Sequence, residues 1–135
     1  MSNTKATGVA YLDPEFSTCY ATEELGYASA AQGTVTQLTD KSTGVTLNKS
    51  AGRITMNNAA LAAATNVAFT LTNNLISSND VLIVGVSGGA ATAGTYNVFT
   101  STLTAGSATI VLRNISAGSL SEAVIINYAI IHGAS

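Results

Sequence analysis

The side chains that could carry out metal, nucleophilic or acid–base chemistry are few and widely spaced in this sequence. The chain has one histidine, His132, and one cysteine, Cys19. A transition-metal site usually takes two or three imidazoles and a carboxylate, and a catalytic cysteine requires a histidine that a third group orients. Nothing in the spacing suggests either arrangement, because His132 follows the last predicted strand and Cys19 lies near the N-terminus. We therefore expect no metal centre, no bound cofactor and no cysteine–histidine pair.

The carboxylates and the glycine-rich segment do not predict a catalytic site either. Glycoside hydrolysis requires two acids held across a cleft. After residue 27 the acids are Asp40, Asp80 and Glu122, and the first two lie in turn-like contexts in which aspartate satisfies backbone groups. The segment SGGAATAG, residues 87–94, lacks the lysine and the following helix of a phosphate-binding loop, so we expect a flexible loop there. The sequence thus predicts a protein that is not an enzyme.

Composition and charge argue against two further classes of partner. Only 9% of the 135 residues are charged and the net charge is -2, so a basic surface for nucleic acid is not expected. The longest apolar run, AVIINYAII, is too short to cross a bilayer and contains Asn127. The N-terminal residues lack the apolar segment of a secretion signal. We expect a soluble chain that binds neither nucleic acid nor membrane, and we expect the Asn-x-Ser matches at Asn48 and Asn114 to be chance matches without glycans.

Short β-prone segments separated by Gly, Asn, Asp and Ser recur from Gly33 onward, a pattern typical of an all-β sandwich or barrel. Gly94, Gly106 and Gly118 are spaced twelve residues apart. Each period fits one strand of about eight residues and one tight turn in which glycine adopts a positive φ. The predicted strands are residues 34–39, 45–48, 53–57, 66–72, 81–86, 96–103, 107–114 and 122–131.

The strands are expected to pack in two sheets. The segment 66–72 alternates apolar and small or polar residues, which predicts a half-buried strand. The apolar runs 81–86 and 122–131 are expected to be central strands with both faces covered. Residues 59–64, rich in alanine, are too few for a stable helix and are interpreted as a connection. The predicted fold is an eight-stranded antiparallel β-sandwich of jelly-roll type over residues 28–135.

The first 27 residues differ from the rest in composition and are predicted to form an extended N-terminal arm. They carry four acids and one lysine, a net charge of -3, whereas the other 108 residues have a net charge of +1. Aromatic residues are typical anchors in protein interfaces, and four of the eight aromatic residues lie in this segment. The alternative is that these rings pack on the chain's own core. The residues predicted to anchor the arm on a partner are Tyr11, Phe16, Tyr20 and Tyr27.

Two segments, GVTLNKSAGRITMNNAALAA (44–63) and AGSLSEAVIINYAIIH (117–132), resemble small virion proteins of tailed bacteriophages. The similarity extends over roughly residues 28–132 and does not include the arm. The group contains the jelly-roll decoration or cement proteins of phage heads, and related β-rich segments occur in tail-fibre-like proteins.

The resemblance implies a protein without an active site that binds in many copies to the outer surface of a capsid, with the major capsid protein as its partner. The alternative is a tail-fibre or receptor-binding tip domain that contacts a host surface glycan. A homo-oligomer, either a dimer or a trimer, is expected on separate grounds, because a chain with few charges has little to prevent exposed sheet edges from pairing.

Overall fold

The computed structural model describes residues 16–134, in which eight β-strands form two four-stranded sheets. The all-β prediction is confirmed, and these residues contain no helix that could span a membrane. The first sheet has the strand order β1-β3-β8-β5 and the second β2-β4-β7-β6. The strands are β1 (Gln32–Thr36), β2 (Val45–Thr46), β3 (Ala51–Thr55), β4 (Asn66–Thr72), β5 (Val81–Gly88), β6 (Tyr96–Thr104), β7 (Ser107–Asn114) and β8 (Ile125–Ile131).

The prediction that all strands are antiparallel is wrong, because each sheet contains one parallel pair. β1 pairs in parallel with β3, and β2 pairs in parallel with β4. The other four pairs, β3–β8, β4–β7, β5–β8 and β6–β7, are antiparallel. Parallel neighbours cannot be joined by a tight hairpin and need a crossover connection. Here the chain alternates between the sheets from β1 to β4, so that β2 lies in the connection between β1 and β3.

Inward side chains from both sheets form one hydrophobic core. Successive strand residues point to opposite faces, so each sheet presents one face to this core and the other to solvent. On β4 the inward residues Phe69 and Leu71 are buried while the neighbouring threonines are exposed, as the alternating sequence predicts. The inward residues with no exposed surface are Ile54, Leu71, Ile110, Leu112, Ile126 and Ile130.

β5 lies at the edge of the first sheet, contrary to the expectation of a central strand covered on both faces. Leu82 is buried, but the neighbouring Val81 and Ile83 are 58% and 51% exposed. β8 is central in its sheet, yet only its inward face is fully buried. An apolar run does not distinguish burial on both faces from an apolar face left in water, because both patterns lack polar residues.

Two paired glycines on β1 and β3 leave space for neighbouring side chains. Gly33 and Gly52 are partners in the parallel register. A Cβ atom on Gly52 would lie 2.6 Å from Cε1 of Tyr128 and 2.6 Å from Cδ2 of Leu47. The missing side chain therefore leaves room for the Tyr128 ring and Leu47 on the inward face of the sheet.

The twelve-residue glycine pattern is confirmed as a turn signal at two of its three positions. Gly94 has φ 78° and Gly106 has φ 81°, both in the left-handed region that favours glycine. Gly106 makes the tight turn between β6 and β7. Gly118 does not adopt a positive φ, and its carbonyl instead accepts hydrogen bonds from two side chains.

Asn114, at the end of β7, is fully buried and joins two connections of the chain. Its Nδ2 donates to the carbonyl oxygens of Leu61, Ala62 and Gly118 at 2.9, 3.1 and 2.8 Å. Its Oδ1 accepts from the backbone nitrogen and the hydroxyl of Ser116 at 2.9 and 2.7 Å. Both polar atoms are used inside the protein, which leaves no room for a glycan at this Asn-x-Ser match.

The alanine-rich segment 59–64 is a connection, as expected. It contains no helical turn, and Leu61 is buried and pairs in an isolated bridge with Leu120. Asn114 therefore fastens this connection to the turn that follows β7.

Candidate partner-binding surfaces

The outward face of the first sheet is an exposed surface that is mostly apolar at one edge. The strand register places its residues in rows across β1, β3, β8 and β5. One row runs through Gln32, Ala51, Ala129 and Ile83, the next runs through Thr34, Arg53, Asn127 and Gly85, and Val81 lies opposite Ile131. We call these ten residues the first-sheet face.

The apolar part of the first-sheet face lies on β5 and β8. Val81, Ile83 and Ile131 are all more than half exposed and lie on adjacent strands. Exposed apolar residues are ordinary when scattered, but neighbouring ones on a sheet mark a surface that a partner could cover. Gly85 leaves open space beside Asn127, because no atom lies within 4 Å of where its Cβ would be.

Arg53 is the only charged side chain in the four strands of the first sheet. Within residues 16–134 the one contact at salt-bridge distance joins His132 to Asp80, so Arg53 has no carboxylate partner there. A shallow depression of about 570 Å³ adjoins it, lined in part by Thr34 and Asn127. The first-sheet face therefore combines a positive charge that has no carboxylate partner among residues 16–134 with a neighbouring apolar area.

The outward face of the second sheet differs in chemistry. Two rows of hydroxyl residues cross it, and its one charged strand residue, Arg113, donates to Oδ1 of Asn66 at 3.3 Å. The hydroxyl rows are Thr46, Thr72, Ser107 and Thr104, and Thr70, Thr109 and Thr102. Arg113 thus has a side-chain partner in its own sheet, whereas no ion pair holds Arg53.

Three of the four predicted anchors lie in the described residues, and Tyr11 lies outside them. The segment Phe16–Tyr27 contains no helix or strand, and Phe16 and Tyr20 are 62% and 90% exposed. The Tyr27 hydroxyl donates to the carbonyl oxygen of Ile130, and Nε2 of Gln32 donates to the carbonyl oxygen of Tyr27 at 3.0 Å. Tyr27 therefore contacts the chain's own first sheet, whereas the rings of Phe16 and Tyr20 lie in solvent.

His132 and Asp80 form a contact that the sequence did not indicate. His132 follows β8 and is half-exposed, and its Nδ1 lies 3.1 Å from Oδ2 of Asp80. Asp80 is buried and also accepts from the backbone nitrogens of Ser77 and Gly133 at 2.8 and 3.0 Å. The hydrogen bond from the Ser77 backbone is the largest of the contacts that lower the pKa of Asp80 to about 2. The carboxylate thus fastens the residues after β8 to the turn before β5.

The other residues considered for chemistry, Asp40 and Cys19, do not form a site within the described residues. Asp40 accepts from the backbone nitrogen and hydroxyl of Ser42, as its turn context predicts, and these bonds lower its pKa. Cys19 is exposed. Residues 16–134 contain no group of three or more His, Cys, Asp or Glu side chains that could hold a metal ion.

The sequence also did not predict the buried polar cluster around Lys41. Lys41 is buried and its Nζ donates to the carbonyl oxygens of Asn57 and Glu122. Burial lowers the pKa of Lys41, and the Glu122 carboxylate opposes this shift. Oε1 of Glu122 accepts from the backbone nitrogen of Ala91 at 2.7 Å, which ties the glycine-rich loop to the chain before β8. Burial likewise raises the pKa of Tyr96 to about 12.

Comparisons with known proteins identify no relative of this chain. No protein-family model, no curated protein and no solved structure matches the chain significantly. The function proposed below is therefore argued from the surfaces of the described residues.

Proposed function

We propose that this chain is a non-enzymatic virion structural protein of a tailed bacteriophage. In this role it is a decoration or cement protein that binds the major capsid protein in many copies and stabilises the outer surface of the head. The observation that carries the proposal is the segment Phe16–Tyr27, which leaves large aromatic and aliphatic side chains in water. An aromatic side chain buries about 150–250 Å² in an interface, so covering these residues with a partner would be favourable.

The proposed architecture is a β-sandwich of jelly-roll type over residues 28–135, preceded by an extended arm over residues 1–27. The single core shared by two four-stranded sheets supports the sandwich. The antiparallel pairs β3–β8 and β4–β7, central in opposite sheets, support a jelly roll. Jelly rolls are built from antiparallel Greek keys, so the two parallel pairs are a departure from that pattern.

In this proposal the arm binds outside its own chain. Its predicted anchors Tyr11, Phe16 and Tyr20 reach a neighbouring subunit or the capsid shell, and its acids face basic groups there. The fourth predicted anchor, Tyr27, hydrogen-bonds Ile130 of its own chain and holds the base of the arm. The protein acts as a homo-oligomer, a dimer or a trimer, on the virion surface. Exposed apolar residues on the edge strand β5 support self-association, because edge strands without charges readily pair with or pack against another chain.

Deletion of residues 1–26 tests the role of the arm. This truncation keeps Tyr27, whose hydroxyl contacts the first sheet, so the unfolding midpoint should change little. Binding to purified phage heads that lack the protein should fall strongly, as measured by co-sedimentation. A truncated protein that binds heads as tightly as the full chain would contradict the proposal.

Point variants provide a matched control for the deletion. Replacing both Phe16 and Tyr20 by Ser should weaken binding to heads, because it removes two exposed rings without shortening the chain. Leu38→Ser alters another exposed apolar residue, 85% exposed and outside the arm, and should leave binding unchanged. Equal effects of the two variants would mean that losing any exposed apolar side chain weakens binding, and that the arm has no special role.

A tail-fibre or receptor-binding tip domain is the second candidate. The exposed glycine-rich loop after β5 favours it, because a projecting loop could contact a host glycan. Antibody labelling of purified virions separates the two roles. Many copies over the head indicate a decoration protein, whereas a few copies at the tail indicate a fibre.

A further inference from the structure

The first-sheet face and the N-terminal segment are complementary in charge. Arg53 is the single charged strand residue of its sheet and has no carboxylate partner within residues 16–134. Residues 1–27 carry a net charge of -3, and Glu23 and Glu24 are exposed. At an ionic strength of 0.1 M opposite charges attract over about 10 Å, which is enough to guide this acidic segment to the one basic position on the face.

The two surfaces are also complementary in apolar character. Val81, Ile83 and Ile131 expose aliphatic side chains on adjacent strands within a few residues of Arg53 in the register. Phe16 and Tyr20 expose aromatic rings on the N-terminal segment. Aromatic rings packed on aliphatic residues would bury surface that both groups leave in water.

The position of the segment shows which copy can be covered. It leaves the first sheet at Tyr27, whose hydroxyl is held by Ile130 of β8. The rings at positions 16 and 20 are exposed, so they do not cover the face of their own chain. A chain of 26 residues spans at most about 90 Å when extended, which is enough to reach the same face of a neighbour.

We infer that residues 1–26 of one copy bind the first-sheet face of a second copy, with their acids near Arg53 and their aromatic rings on the apolar area of β5 and β8. The inference rests on the proposed function, in which the arm reaches outside its own chain. It identifies the occupant of the face as another copy of this protein and not the capsid shell.

Photo-crosslinking from the native cysteine tests this contact directly. Cys19 is exposed, is the only cysteine and lies between Phe16 and Tyr20, so a maleimide-benzophenone reports where this part of the segment binds. The ¹⁵N-labelled and unlabelled forms of the full chain, each carrying the benzophenone, are mixed without capsids and irradiated. We expect mixed-isotope cross-links to peptides of β3, β5 or β8. Cross-links confined to one copy, cross-links to the second sheet, or a protein that stays monomeric at micromolar concentration would each overturn the inference.

Charge reversal supplies the matched comparison. Arg53→Glu should raise the dissociation constant for self-association about three- to thirtyfold, because one attraction is lost and one repulsion is gained. Arg113→Glu, the equivalent change on the outward face of the second sheet, should leave it unchanged. Analytical ultracentrifugation measures both, and circular dichroism confirms that both variants fold. Equal dissociation constants for the two variants would reject the assignment of the acids to Arg53.

Failure of this inference and failure of the capsid role give different results. A full-length protein that binds phage heads but gives no cross-link from Cys19 to the first sheet of another copy rejects only the exchange of segments. A protein that gives the expected cross-links but does not bind heads rejects only the capsid role.

Discussion

Replacement of Asn114 by Ala should produce the largest loss of stability of any single polar truncation in the connections between strands. The side chain has no exposed surface, the two hydrogens of Nδ2 are shared among three carbonyl oxygens, and Oδ1 accepts two hydrogen bonds. These bonds join the connection around Leu61 to the turn after β7. Ala keeps the backbone but removes all of them.

The size of the loss follows from what the bonding partners retain. A hydrogen bond contributes a net of about 0.5–1.5 kcal/mol, and a buried group left without a partner costs more. The carbonyl oxygens of Leu61, Ala62 and Gly118 each keep another donor, from Leu120, Thr65 and Ser116 respectively. None of the three is orphaned, so the lower half of the range applies to them. Counting the two hydrogens of Nδ2 and the two bonds that Oδ1 accepts, the free energy of unfolding should fall by about 3 kcal/mol.

Urea unfolding followed by circular dichroism measures this change, at one fixed protein concentration because self-association adds to the apparent stability. Asn97→Ala is the control, since Asn97 lies exposed on β6. Its expected effect is within about 0.5 kcal/mol of the unchanged protein. A loss below about 1 kcal/mol for Asn114→Ala, or a loss equal to that of the control, would refute the view that these bonds hold the two connections together.

Two further predictions concern a glycine that leaves room for a packed ring and a titrating carboxylate. Gly52→Ala should lower the free energy of unfolding by about 1–3 kcal/mol, because the new Cβ would overlap the Tyr128 ring. Gly85→Ala is the control, since it adds a methyl group in open space and should have little effect. Urea midpoints that are equal for these two variants would contradict the packing argument. Hydrogen bonds hold the pKa of Asp80 at about 2, below its ordinary 3.8. The ionised carboxylate therefore stabilises the fold above about pH 4, and that contribution is lost as the pH falls toward 2. Asp80→Asn should therefore flatten the pH dependence of stability between pH 4 and 2, and an unchanged slope in urea titrations would count against this role.

The strands that the sequence predicted best are those with one polar and one apolar face. β4 and β7 occur at the predicted residues, 66–72 and 107–114, because alternation and flanking turn residues mark both ends. β1 ends earlier than expected, at Thr36. The next residue, Gln37, still donates its backbone N–H to the carbonyl oxygen of Thr55, but its buried side chain donates to the carbonyl oxygens of Lys41 and Thr43 in the turn that follows. Such a network is not visible in a local pattern.

Strand pairing and the polar contacts between connections were beyond prediction for a different reason. The parallel pairs depend on how the chain alternates between two sheets, which local periodicity does not encode. Asp80 meets His132 across 52 residues, and Lys41 meets the Glu122 carbonyl across 81. In their local sequences, Asp80 and Lys41 look like ordinary surface residues. The aromatic and acidic composition of residues 1–27 was visible in the sequence. The position of Arg53 as the one charged residue in the strands of the first sheet was not, because it depends on which strands assemble into that sheet.

The position of β8 has a consequence for biosynthesis. β8 is the last strand in sequence, yet it lies between β3 and β5 and is the only link from β5 to the rest of the first sheet. Until residues 125–131 have been translated and released, β3 and β5 expose unpaired edges, while β4, β6 and β7 can already pair. Strand edges left open during synthesis favour aggregation. We therefore expect nascent chains stalled before residue 125 to be protease-sensitive and to need chaperones, because the first sheet is complete only once β8 has been made.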